Sequence, residues 1–317
     1  MLLWSIFIIF ILLLLALDLG VFNRENHVPT TREALRWTSL WATVGISFAA
    51  VVYYLYSHHW GDRDLAAGDA VMKYLTGYLV ELSLSMDNVF VMALIFKYFR
   101  IPGQYQHRVL FWGILGALVF RAMMIFAGVW LLEQFQWMMY LFGAILIYSA
   151  WKMLTSEEEV DPNRNPIIRY AKKIFPVSKQ IEGERFFVRR RHIVAATPMF
   201  IALLMIETTD VLFAFDSIPA ILAITTDPFL VFSSNVFAIL GLRSLYFVLA
   251  SMMDRFEYLK YSLAIILFFV AAKMLLHSVW HPAEWLNLVV IFVMLAGGVA
   301  VSLYQTRKEE KLEEVKG

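Results

Sequence analysis

Glu81-Leu82-Ser83-Leu84-Ser85-Met86-Asp87-Asn88-Val89-Phe90 lies inside one long apolar segment. Glu207-Thr208-Thr209-Asp210-Val211-Leu212-Phe213-Ala214-Phe215-Asp216-Ser217-Ile218-Pro219 lies inside another. Placing Asp87-Asn88-Val89 over Asp216-Ser217-Ile218 brings Glu81 over Asp210, so each stretch carries an acid six residues ahead of its aspartate. An ionisable side chain in hydrocarbon costs roughly 2.5–3.5 kcal/mol on insertion scales, and by default it marks a functional position.

The surrounding chain makes hydrocarbon the expected setting. It is 60% hydrophobic and 17% charged, which excludes an ordinary soluble domain, and apolar runs of about 20 residues recur, each long enough to span as helix. The short alternating strands of a membrane β-barrel are not seen. Nine spans are expected, at roughly 2–22, 35–57, 69–97, 108–131, 134–154, 194–224, 229–251, 256–277 and 284–305. The first has no preceding Lys or Arg and no small-residue cleavage site, so it reads as a retained helix. With no cysteine, thiolate metal sites, disulfides and thiol redox chemistry are excluded. A formal net charge of +1 gives no sign of a nucleic-acid partner.

Loop charge sets the expected orientation. Arg24 and Arg32, then Lys97, Arg100 and Arg108, then nine Lys and Arg between 155 and 193, then Arg307, Lys308, Lys311 and Lys316 mark one side. The alternate loops hold Asp62, Asp64, Glu133, Asp227 and Glu284, with Arg63 as their single cation. The positive-inside rule then puts the amino terminus outside and the carboxyl terminus in the cytoplasm. The chain reads as a single transmembrane domain in five parts. Residues 1–68 give two peripheral helices, 69–154 a first repeat, 155–193 a cytoplasmic loop, 194–277 a second repeat, and 278–317 the last helix and tail. The loop, with Glu157-Glu158-Glu159 at its start and basic clusters after, reads as a connector lying on anionic headgroups or as a regulatory element.

Helices 3–5 and 6–8 echo each other beyond the acids. Phe135-Gln136-Trp137-Met138-Met139-Tyr140 parallels Phe256-Glu257-Tyr258-Leu259-Lys260-Tyr261, Lys152-Met153-Leu154 parallels Lys273-Met274-Leu275, and Arg121 and Arg243 each follow an Ile-Leu-Gly. An odd number of spans separates the copies, which makes the repeat inverted; transporters of that architecture bind substrate near the midplane. In an unbroken helix Glu207 and Asp216 would point to opposite sides, at about 100° per residue. Either the helix unwinds near Phe215, where Pro219 removes a hydrogen bond, or the acids line successive sites along a path.

The candidate ligands are Glu81, Asp87, Asn88, Glu207, Asp210, Asp216 and Ser217, with Ser83, Ser85, Thr208 and Thr209 nearby. All are oxygen donors, which suit Mg²⁺, Ca²⁺ or Mn²⁺ rather than Zn²⁺ or Cu⁺. Met86 and Met205 flank them as packing residues. Crowded carboxylates in a dry site cannot all stay ionised without a cation, so one is expected to hold a proton when no metal is bound, giving metal–proton exchange. The competing reading is static: Arg121 and Arg243 pair with the acids and lock the helices. Lys73 and Lys273 read as snorkelling anchors. His58, His59, His277 and His281 with Asp62 and Asp64 read as solvated groups, or else as an exit site. Trp60, Trp112, Trp130, Trp137 and Trp285 suit interfacial belts.

These motifs resemble the TerC family of integral membrane proteins, its Alx-type branch above all. The resemblance rests on Glu81-x-Ser83-Leu84-Ser85-x-Asp87-Asn88-Val89-Phe90-Val91 and Glu207-x-x-Asp210-Val211-x-Phe213-Ala214-x-Asp216-Ser217-Ile218-Pro219-Ala220. Thr225-Thr226-Asp227-Pro228-Phe229, Phe237-Ala238-Ile239-Leu240-Gly241-Leu242-Arg243 and Glu184-Arg185-Phe186-Phe187-Val188-Arg189 add to it. It implies an all-α fold similar to LysE-type exporters, a bacterial inner-membrane location, and Glu81, Asp87, Glu207, Asp210 and Asp216 as functional carboxylates. It also implies manganese export, with Mn²⁺ as transported ion and no resident cofactor or enzymatic activity. Alternatives are a non-transporting scaffold that supplies metal to secreted proteins, an exporter of organic cations or amino acids, and an intramembrane protease using Asp87 and Asp216.

Overall fold

The structure is a computed structural model, and it describes residues 2–20, 29–61, 65–155, 165–178, 181, 183–190, 193–250, 259–276, 279 and 282–316. Its membrane part is helical, as apolar segments in lipid must be, because a spanning backbone has to satisfy its own hydrogen bonds. In order come α1 (Leu2–Gly20), α2 (Thr31–Ser57), α3 (Ala67–Tyr98), α4 (Gly103–Gln134), α5 (Met138–Thr155), α6 (Pro166–Ile174), β1 (Phe187–Arg190), β2 (Ile193–Ala196), α7 (Pro198–Leu222), α8 (Pro228–Leu240), α9 (Leu242–Ala250), α10 (Leu259–Leu275) and α11 (Glu284–Lys316).

Every expected span has a helical counterpart, but not every counterpart is long enough to cross alone. Among the described residues six stretches are long and apolar enough, namely α2, α3, α4, α5, α7 and residues Glu284–Ser302 of α11. The expected span 229–251 is two helices, α8 and α9, bent by 44°; counted together they make a seventh. The apolar stretch Leu2–Leu17 of α1 and the 17-residue α10 are shorter.

Local chemistry explains several boundaries. Asp227 caps α8, its Oδ1 accepting from the backbone of Phe229 at 2.9 Å and Leu230 at 3.2 Å, with Pro228 at the first helical position. The same carboxylate accepts from Tyr56 Oη at 2.6 Å, tying α8 to the end of α2. Pro198 likewise opens α7. The bend between α8 and α9 falls at Gly241, where the absent side chain costs helix stability and admits a kink.

Two corrections concern regularity. Pro219 does not unwind α7, which stays helical from Pro198 to Leu222 with Pro219 buried in its final turns. Removing one hydrogen bond there leaves most of the helix's bonding intact. The 155–193 segment is also more than a connector. Asn165 caps α6 by accepting from Ile167 and Ile168, and β1 pairs antiparallel with β2. Arg108 Nη1 holds Glu184 Oε2 at 2.8 Å and its guanidinium lies over Phe186, which packs this element against the start of α4.

α3 is the most enclosed of the six long spans. It packs on α2, α7, α8, α9 and α11, while α4 packs on α7 and α5 on α10. The core around Val80, Ile125, Leu146, Ile218, Val231 and Leu267 joins α3, α4, α5, α7, α8 and α10. Close approach depends on a small residue at Gly77, where an added Cβ would come within 3.0 Å of Ser234 Oγ on α8. Lys73 and Lys273 do not simply snorkel. Their ammonium groups flank Glu284 at 3.8 and 3.9 Å, drawing α3, α10 and α11 together. Trp60, Trp112, Trp130, Trp137 and Trp285 are all exposed, as residues of interfacial belts are.

Candidate functional site

The buried charges meet where α3, α4 and α7 cross. Glu81 on α3 is fully buried, Arg121 on α4 is 1% exposed and Asp210 on α7 is 4% exposed. Arg121 Nη1 meets Glu81 Oε1. Its Nη2 donates to Asp210 Oδ1 at 2.8 Å and its Nε to Oδ2 at 3.2 Å. This is a two-pronged grip, which the planar guanidinium suits better than an ammonium would. Asn88 Nδ2, about two turns further along α3, reaches Asp210 Oδ1 at 3.4 Å.

Glu207 lies one turn from Asp210 on the same face of α7, as their three-residue spacing requires. Its carboxylate rests against Gly116 on α4, in the space that a Cβ there would fill. Glu207 Oε2 is buried and has no hydrogen-bond partner. Two carboxylates, Glu81 and Asp210, therefore share one guanidinium, with a third, Glu207, one turn along α7 from Asp210; taken as ionised they exceed it in charge.

The other two acids form a second neighbourhood. Asp216 accepts from Ser149 Oγ on α5, with Lys152 as a nearby cation. Asp87 lies within electrostatic reach of Asp216 and of Lys260 on α10. The seven expected ligands thus do not converge on one pocket. Because α7 stays helical, Asp216 leaves it on a different side from Glu207, and the acids are divided along the helix pair. Asn88, next to Asp87 in sequence and bonded to Asp210, links the two groups.

Other expectations also shift. Ser217 is buried with its Oγ unpartnered, as is that of Ser85. Ser83, Thr208 and Thr209 donate to carbonyls of their own helices, at Leu79, Leu204 and Met205. Arg243 does not stand where Arg121 does. It is placed beside His107, Nη1 to Nε2 3.2 Å, in a crevice lined by Trp37, Trp41 and Phe247. Met205 is buried in packing and Met86 packs against the same cluster, as expected. Asp62, Asp64, His277 and His281 lie outside the described residues, so the exit-site expectation does too. Among the described residues, no group of three or more His, Asp or Glu is arranged to hold a metal ion.

Two residues beside the acids, and one buried amide, escaped the sequence. Ser149 and Gly116 carry no pattern that links them to Asp216 and Glu207. Asn235 on α8 is 1% exposed, with both amide atoms lacking a hydrogen-bond partner. Its only sequence signal is polarity inside an apolar run.

Residues 66–310 match the integral membrane protein TerC family. A membrane protein of Myxococcus xanthus is 46% identical over 307 residues, covering 96% of this chain and 93% of its own. Two proteins named "Putative membrane-bound redox modulator Alx" are similar over 98% of this chain. That of Salmonella typhi is 42% identical with 96% of its length covered, and that of Escherichia coli K12 is 41% identical with 97% covered. No solved structure matches. The chain belongs to the TerC family of integral membrane proteins.

Proposed function

We propose that this protein exports a divalent cation, with Mn²⁺ as the ion, across the bacterial inner membrane, and that Arg121 occupies the cation's place between transport events. The observation that carries this reading is the buried guanidinium of Arg121 shared by Glu81 and Asp210, with Glu207 one turn away on α7. A carboxylate set that surrounds an internal cation also suits a hard external one, provided the arginine withdraws. Incoming metal then competes with Arg121 for the same oxygens, and protons compete with both, which couples export to the proton gradient.

The topology behind this reading is nine spans, with the amino terminus outside and the carboxyl terminus in the cytoplasm. Helix packing supports an inverted repeat. α4 packs on α7 and α3 on α8, as equivalent pairs related by a two-fold would, and α5 packs on α10. Opening at α4 and α7 would expose the acids to one side, and opening at α3 and α8 would expose them to the other. The relatives' names speak of redox modulation. With no cysteine of its own, this chain would have to exert such an effect through the metal it moves.

A second reading is a scaffold that supplies metal without transporting it, favoured by the bidentate Arg121–Asp210 pair, since a buried pair of that geometry can serve as a static lock. Flux separates the two. Purified protein in liposomes should carry Mn²⁺ inward or outward down its gradient, and D210N and D216N should stop it. Wild-type vesicles no more permeable than protein-free ones would favour the scaffold.

A further inference from the structure

The cytoplasm-assigned helix α6 has three faces where an ordinary surface helix has two. Ile168 and Ala171 are buried against the rest of the fold, and α6 packs on α7. Asn165, its cap, reaches Met205 Sδ on α7 at 3.6 Å. Arg169, Lys172 and Lys173 are exposed. Ile167, Tyr170 and Ile174 are exposed as well, Tyr170 by 66%. At about 100° per residue, these last three fall within an arc of about 60°. That apolar edge lies between the buried face and the Arg169–Lys173 side, while Lys172 stands roughly half a turn away.

An exposed apolar edge beside a basic one is costly in water and is the pattern of a helix lying in a lipid interface. The position agrees. Phe175, the residue after α6, lies 5.5 Å ring to ring from Phe187, and Phe187 lies 4.4 Å from Phe200 in the first turn of α7. α6 is therefore held where α7 begins, beside the hydrocarbon that α7 enters. Lys172-Lys173 on α6 and Arg189 on β1 add basic charge here, which attracts anionic headgroups and repels cationic surfaces.

We infer that α6 is an interfacial anchor that seats Ile167, Tyr170 and Ile174 among anionic phospholipid headgroups, with Arg169 and Lys173 on their phosphates. Through the Asn165–Met205 contact, the same helix braces α7 two residues before Glu207. The inference uses the proposed topology but no ion flux, so it can fail while the export reading stands, and the reverse.

The chain has no cysteine, so single labelling sites can be introduced without background. Full-length Y170C, I174C and K172C would each carry a nitroxide and be placed in vesicles of phosphatidylcholine with or without phosphatidylglycerol. Collision with dissolved oxygen should exceed collision with a water-soluble nickel chelate at 170 and 174, and the order should reverse at 172. The preference should weaken without phosphatidylglycerol, and in an R169Q/K173Q background. Labels at 170 and 174 as open to the chelate as the label at 172 would overturn the inference. So would shielding from both reagents, which would mean that protein covers the edge. Equal preference in both lipids would overturn the role given to headgroup charge.

Discussion

Arg121 holds Asp210 by two hydrogen bonds, of 2.8 and 3.2 Å, across the contact between α4 and α7. The same guanidinium meets Glu81 on α3, so one side chain joins three helices in the interior of the protein. Cutting α4 away from that arrangement leaves two carboxylates buried without their cation.

Arg121→Ala should therefore destabilise the protein by about 3–5 kcal/mol, the usual loss when one member of a buried pair is removed. Arg121→Lys should recover part of this, because a single ammonium restores charge but not the two-pronged geometry. Thermal unfolding in detergent measures both, and an R121A protein as stable as wild type would rule out the pair as a structural element.

Gly116→Ala tests the placement of Glu207. The added methyl occupies the space now held by that carboxylate, so Glu207 must move while Arg121 keeps its partners. Metal affinity should weaken by roughly 10- to 100-fold, the range seen when the support of a ligating group is disturbed. Folding should persist. Isothermal titration of G116A with Mn²⁺ reports the outcome, and unchanged affinity would remove Glu207 from the ion's path.

Asn235 sits fully buried with neither amide atom satisfied, an arrangement that costs about 1–3 kcal/mol per unpaired group. Asn235→Leu should accordingly raise the melting temperature or leave it unchanged, against the usual expectation for a core substitution. A clear fall in melting temperature would mean that the amide has a partner in the folded protein.

Proton competition has a definite sign. Protonating Glu81, Glu207 or Asp210 removes charge that a divalent cation needs, so apparent Mn²⁺ affinity should weaken steadily as pH falls from about 8 to 5. Binding curves across that range check this, and flat affinity would separate metal binding from protons.

The sequence made the helical spans legible because lipid leaves the backbone few choices. It also made the acids legible, because carboxylates in hydrocarbon are conspicuous. Their partners were harder to read. Arg121 and Arg243 each follow an Ile-Leu-Gly, Arg243 with three fewer residues between, yet of the two only Arg121 is seen at the acids, while Arg243 rests beside His107. Repeat position predicts a helix face, and the three-dimensional crossing decides what that face meets. Of the two alternatives read for α7, unwinding near Phe215 or acids spread along the helix, unwinding is not what the structure has. Pro219 stands so near the end of α7 that losing one bond is tolerated, whereas Gly241, without a side chain to hold it, marks the bend. α6 was hidden by the charge of its surroundings, although Asn165-Pro166 is a helix start of ordinary kind.

Crystals soaked in Mn²⁺ and measured at the manganese absorption edge would test most directly whether a metal takes the acids from Arg121. An anomalous peak among Glu81, Glu207 and Asp210, with the guanidinium withdrawn from Asp210, is the predicted result. Crystals with no peak beside any of the five acids and Arg121 still gripping Asp210 would contradict it.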